Sequence, residues 1–144
     1  MPIVDGRYET KISTTYASVE QGLAELKKMI QKSRRIRISN IPMSLLRDLT
    51  PLLQDKDLKI ILPLGENPTD ELRQIGQLAT TKARIYVEHR GIEANSGSVN
   101  FSSLNFSIVW INDRILDISI MEYGKCVKCL AATFEGGWGY SQKW

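Results

Sequence analysis

Cysteine and histidine are scarce in this sequence: Cys126, Cys129 and His89 are the whole supply. Two cysteines so few and so close together exclude the disulfide framework of a small secreted protein and suggest a reducing compartment. Long apolar runs are missing as well. None approaches the roughly 20 residues needed to span a bilayer, and the opening MPIVDGRYETK lacks an apolar signal core, so the expectation is a soluble cytoplasmic protein with no membrane partner. Charge of one sign is also in short supply, since 19 Lys and Arg against 16 Asp and Glu leave a net +3. That balance is too weak to indicate nucleic acid or an anionic membrane as a partner. What is present is 144 residues at 42% hydrophobic content, enough to bury one real core and too little for two domains. No internal repeat or low-complexity segment interrupts the chain.

Residues 1–14 are mixed and polar without a sustained period and read as an arm, with a single domain over 15–144. From Thr15 to Lys32 the apolar positions Tyr16, Val19, Leu23, Leu26 and Ile30 recur at spacings of three and four, which predicts one buried helical face. Ile36-Arg37-Ile38-Ser39 alternates as a strand does. Pro42 then suits the first turn of a helix carrying Leu45, Leu46, Leu49, Leu52 and Leu53, which Pro51 kinks or shortens. Leu58–Leu62 is a nearly continuous apolar run, as in a strand covered on both faces. Asn67-Pro68-Thr69-Asp70 supplies a helix start, with Leu72, Ile75, Leu78 and Ala79 facing inward. Ala83–Val87 reads as a third strand. This alternation selects a parallel sheet with crossover helices.

Residues 90–104 are rich in Gly, Ser and Asn and read as a long loop. Phe106–Met121 follows as two apolar runs joined by Asn112-Asp113, the pattern of a β-hairpin. Residues 125–134 form a helix with Val127, Leu130 and Phe134 inward, and GGWGYSQKW is a Gly-broken tail.

Ligands of open α/β sheets bind beyond the carboxyl ends of the parallel strands, which places Asn40, Gly65, Glu66 and His89 at one edge. His89 also reads as an ordinary surface or capping residue. Cys126-Val127-Lys128-Cys129 is the sharpest short motif. It can be half of a zinc site, completed by a second subunit, or a redox pair whose thiols Lys125 and Lys128 favour, or two structural thiols. Arg34, Arg35 and Arg37 read either as a solvated start of a strand or as a phosphate site. Trp110 reads as core, or as a stacking platform together with Trp138, Trp144, Tyr123 and Tyr140.

The order of elements, IRISN before a helix, KIILP, the hairpin and Phe134-x3-Trp138 together resemble one repeat of the phospholipase D superfamily, over about Val19 to Trp138. The resemblance implies an α/β fold with a mixed, mainly parallel sheet, helices on both faces and a C-terminal hairpin. The superfamily's catalytic His-x-Lys-x4-Asp falls on Asn105, Ser107 and Asn112. A neutral amide and a hydroxyl replace neither the histidine that attacks phosphorus nor the lysine that holds phosphate oxygens, so the resemblance implies a non-catalytic member. Gly97-Ser98-Val99-Asn100 matches the family's Gly-Ser-x-Asn in letters but lies ahead of the hairpin. It reads either as that element or as a flexible polar loop.

The lead-in ASVEQGLAELKKMIQKSRRIRIS also resembles the effector-binding part of TrmB-type transcriptional regulators. This implies a ligand-sensing or interaction module with Asn40, Glu66, His89, Asn105 and Ser107 near the pocket, a possible small-molecule effector, and no cofactor unless Cys126 and Cys129 hold zinc. The alternative is a metal-binding or thiol redox protein. Half-length members act as symmetric dimers, so a homodimer is expected through Trp110, Ile118, Ile120, Met121, Tyr123, Trp138 and Tyr140.

Overall fold

Ser18 begins the first helix by accepting a hydrogen bond from the Gln21 N–H through its hydroxyl, and the apolar face read from the sequence turns inward behind it. The computed structural model describes residues 12–81, 84–122 and 127–144. In chain order these form β1 (Ile12–Thr15), α1 (Val19–Lys32), β2 (Arg35–Ser39), α2 (Met43–Leu49), β3 (Asp57–Leu62), α3 (Asp70–Ile75) and β4 (Gln77–Thr80). There follow β5 (Tyr86–His89), β6 (Ile92–Asn100), β7 (Leu104–Ile111), β8 (Arg114–Glu122), α4 (Val127–Tyr140) and β9 (Gln142–Lys143). The strands make one mixed sheet in the order β1-β8-β7-β6-β2-β3-β4-β9, with β5 paired to β6.

Only β2–β3 and β3–β4 are parallel; every other pairing among the described residues is antiparallel. The α/β kind is as expected, while the parallel share is smaller than the sequence suggested. Three local differences separate the sheet from that reading. Leu78 and Ala79 leave the helix at Gly76 and form β4, the third parallel strand. A side chain at Gly76 would press on Leu58, so the chain passes close to β3 and pairs with it at once. The third strand read at Ala83–Val87 begins later, as β5, antiparallel to β6; residues 82–83 lie outside the described residues. The expected loop is largely β6, whose Ser, Gly and Asn residues sit mid-sheet between β7 and β2.

The two faces of the sheet differ. Ile36, Ile38, Ile60, Val99, Phe106, Ile108, Trp110 and Ile118 form one buried cluster with Leu26 and Ile30 of α1, Leu45, Leu46 and Leu49 of α2, and Leu72 of α3. Helix α1 lies so close to β8 that a Cβ at Gly22 would be 2.9 Å from that of Ile118. The opposite face carries Arg35, Arg37, Ser39, Lys59, Ser98 and Ser107, alternate positions of β2, β3, β6 and β7. Helix α4 packs there through Glu135, 3.8 Å from Lys59, and Trp138, whose ring centroid is 5.3 Å from the Lys59 ammonium. The apolar face is therefore covered within one chain. Trp110 and Ile118, expected at a dimer surface, are only 4% and 2% exposed and belong to the core. Tyr123 lies outside the described residues, as does the arm up to residue 11, whereas the end of that arm is β1, paired with β8.

The β7–β8 hairpin is as read. Asn112 (φ 49°) and Asp113 (φ 65°) both take the left-handed conformation of a two-residue hairpin turn. Asp113 also accepts a hydrogen bond from the Ser44 N–H at 3.1 Å, serving the start of α2, where Pro42 has no capping side chain.

Candidate functional site

Strand β2 ends at Asn40, which turns the chain with φ 53° and is 3% exposed. Its N–H donates to the Ile61 carbonyl at 2.9 Å, its carbonyl accepts from the Trp110 indole N–H at 2.8 Å, and its Nδ2 donates to the Ser96 carbonyl at 2.8 Å. The residue thus ties together β3, β7 and β6 where β6 changes partner: residues 98–100 pair with β2, and residues 92–95 pair with β5. Gly97 lies at that change, and a Cβ there would collide with the Asn40 carbonyl. Only glycine lets the two backbones meet.

The fourth polar atom of Asn40, Oδ1, is buried and has no hydrogen-bond partner. The same holds for Oγ1 of Thr81, just beyond β4. Both residues line a cavity of about 250 Å3 at the carboxyl edge of the parallel strands, closed on its other side by Gly137, Tyr140 and Ser141 at the end of α4. A second cleft of about 300 Å3 shares Ser39, Ile85 and Gly137 with it and runs back under α4 along Ser96, Ser98, Asn105 and Ser107. Among the described residues the phenol of Tyr140 is the one ionisable side chain that lines either space. The lining offers hydroxyls, amides, a phenol and small apolar surfaces, which can orient an uncharged hydrogen-bonding ligand; among the described residues it holds no carboxylate, imidazole or amine to activate a nucleophile.

The residues singled out from the sequence separate into groups. Asn40 lines the first cavity, and Asn105 and Ser107 line the second, where Asn105 Nδ2 donates to Ser107 Oγ at 3.4 Å. Glu66 lies in a different, acidic pocket. His89 pairs with Ile92 at the far end of the β5–β6 hairpin, six positions along β6 from Ser98 and so about 20 Å away. Asn112, the third motif position, occupies the hairpin turn on the acidic side, so the three positions do not converge. Cys126 and the Cys129 side chain lie outside the described residues, and among the described residues no three His, Cys, Asp or Glu are grouped to hold a metal.

Of the arginine cluster, Arg37 is 5% exposed and occupied by the Asp57 carboxylate at 3.3 Å and the Asp57 carbonyl at 2.8 Å, and Arg35 reaches Asn100. Arg34 is exposed. Thr81, Ser39, Ser96 and Ser98 were not singled out as site residues. The only signal for Ser98 was Gly97-Ser98-Val99-Asn100, which forms the end of β6 rather than a loop.

No family model matches the sequence, and no curated protein matches it. Solved structures do. A phospholipase D family member, Nuc from Salmonella typhimurium, superposes with a TM-score of 0.58 at 11% identity, over 93% of this chain and 98% of that one. The fold is phospholipase D-like. NucT from Helicobacter pylori superposes on it with a TM-score of 0.65 at 7% identity, over 93% and 99% of the two chains. TrmBL2, an archaeal chromatin protein with a novel mode of DNA binding, superposes with a TM-score of 0.63 at 9% identity over 100% of this chain. This chain spans 57% of the length of the TrmBL2 chain.

That last likeness overturns the expectation that nucleic acid is not indicated, since the same phospholipase D-like architecture occurs in a DNA-binding protein. The expectation rested on a net charge summed over the whole chain, and a sum carries no information about where the charges lie. The family's catalytic motif is absent in any register: the one histidine, His89, is followed two positions later by Gly91, so His-x-Lys occurs nowhere in the 144 residues. Among the described residues no helix is long and apolar enough to cross a membrane.

Proposed function

We propose that this chain is a non-catalytic phospholipase D-like module that senses a small uncharged ligand in the cleft beneath α4 and works, in the cytoplasm, in association with nucleic acid. The observation that carries the sensing half is the pair of buried oxygens without partners, Asn40 Oδ1 and Thr81 Oγ1, lining one cavity. A buried acceptor or hydroxyl left unpaired costs about 1–3 kcal/mol, which a ligand's donor group would recover. The cavity and the serine-lined cleft lie on the face that α4 covers, so an occupant would bear on that helix's position.

The nucleic-acid half is supported by the likeness to TrmBL2 and by exposed cations at the end of α1, Lys32 and Arg34, which have no ion pair among the described residues. Both halves are tested on the full chain. Amide chemical-shift mapping with sugars, nucleosides and small amides is expected to move Asn40, Thr81 and Gly137. No perturbation there by any of them, or none that Ser107→Leu abolishes, removes the sensing reading. Duplex DNA binding measured against salt is expected to weaken in Lys32→Glu and Arg34→Glu, with a salt slope smaller by about one per lost contact. Unchanged binding in both variants removes that contact surface.

A further inference from the structure

On the other side of residues 84–86 from the neutral cleft lies a pocket of about 440 Å3 with a different character. Ile85 borders the cleft, while Arg84 and Tyr86 border this pocket, so one extended stretch divides the two. Among the described residues three carboxylates, Glu66, Glu93 and Asp113, stand against one guanidinium, that of Arg84, in its wall. This excess of acid occurs on a chain whose overall charge is positive.

Acidic side chains at a surface do not by themselves make a site, but two further features point to a ligand. Asn95 lines the pocket, is 4% exposed, and has a buried Oδ1 that finds no hydrogen-bond donor. Trp110 forms part of the wall with its indole N–H held by the Asn40 carbonyl, which fixes the plane of the ring. The guanidinium carbon of Arg84 already sits 5.4 Å from that ring's centroid, within cation–π range, while its Nη2 donates to the Leu64 carbonyl at 3.1 Å. The ring thus already carries a flat cation, the Arg84 guanidinium, and a ligand's cation stacking there takes the place of that group.

Acceptors around an aromatic face, with a net negative wall, match a cation rich in N–H donors. The carboxylates are not grouped closely enough to hold a metal ion. A volume of about 440 Å3 falls within the range of small-molecule pockets. We propose that this pocket binds an organic cation carrying a guanidinium or ammonium group, stacked against Trp110 and hydrogen-bonded to Asn95, Glu66 and Glu93. The site is separate from the neutral cleft, and its occupancy does not depend on the sensing reading above.

The test is calorimetric titration of the full chain with butylguanidinium and with its uncharged isostere butylurea, with tryptophan fluorescence followed in parallel. Butylguanidinium is expected to bind at least about tenfold more tightly than butylurea. Binding is expected to weaken at high salt and in Glu93→Gln, an exposed position whose amide does not threaten folding, and again in Glu66→Gln. A peptide with one arginine that binds more tightly than butylguanidinium would identify a partner's side chain as the source of the group; weaker binding would identify a free small molecule. Equal affinity for the two isosteres, no binding of butylguanidinium, or affinity unchanged in both glutamine variants would overturn the assignment.

Discussion

Asn40 is held by three hydrogen bonds to three strands while its backbone sits at φ 53°, a conformation that costs most side chains about 1–2 kcal/mol. Asparagine tolerates that conformation and uses its amide to satisfy the Ser96 carbonyl. Replacing it separates the two contributions. Asn40→Gly keeps the backbone geometry and loses the side-chain bond, so it is expected to destabilise by about 1–3 kcal/mol in urea denaturation. Asn40→Ala loses the same bond and adds the strain, so its midpoint should fall further, by about another 1 kcal/mol. Equal midpoints would show that the conformation is not strained. Gly97→Ala places a methyl group against the Asn40 carbonyl, and the overpacking is expected to cost about 1–3 kcal/mol or more, with broadened amide signals at Asn40 and Ser96.

At the scale of elements, α4 is the one that propensity alone would not build. It contains Gly136, Gly137 and Gly139, each worth about 1 kcal/mol less than alanine in a helix interior. What holds it is tertiary: Phe134 is 4% exposed and stacks on Trp138 at 5.8 Å, and Trp138 takes the ammonium groups of Lys59 and Lys143 at 5.3 and 5.8 Å. Trp138→Ala is therefore expected to speed amide exchange in α4 selectively, leaving β2 and β3 protected. Exchange that rises equally in the central strands would show that α4 is part of the cooperative core. The start of α2 is built across the fold in the same way. Asp113→Ala removes the acceptor of the Ser44 N–H and is expected to cost about 0.5–2 kcal/mol, measured by thermal denaturation.

For the whole molecule, the asymmetry of the sheet decides what the fold can do. One face is spent on the core with three helices, and the other is more polar and, among the described residues, carries α4. Catalysis of the phospholipase D kind needs a His-x-Lys motif, and none occurs in the sequence. Phosphodiester substrates are expected to show no turnover above buffer, and His89→Ala is expected to leave ligand binding in the neutral cleft unchanged because of its distance. Turnover abolished by His89→Ala would overturn the non-catalytic reading.

Local pattern alone was enough for α1, β2, β3 and the β7–β8 hairpin, because their side-chain period matches the face they bury and Asn112-Asp113 matches the turn. Asn40, Asn105 and Ser107 were legible as cleft residues through strand order and motif position. Glu66 and His89 were drawn to the same edge by that logic, yet one lies across the residues 84–86 divide and the other at a hairpin tip. Three things rested on tertiary structure. Leu78 and Ala79 continue a helical period, but the edge of β3 offered them unpaired carbonyls and N–H groups, and they joined it. The run NSGSVN carries a glycine in mid-strand because β6 passes against the Asn40 backbone at Gly97, where no side chain fits. Helix α4 runs through its glycines because aromatic and charged contacts with the sheet outweigh their entropy. A period in a sequence reports which face is buried; it does not report which neighbour supplies the hydrogen bonds, and that choice made β4, β6 and the pockets between them.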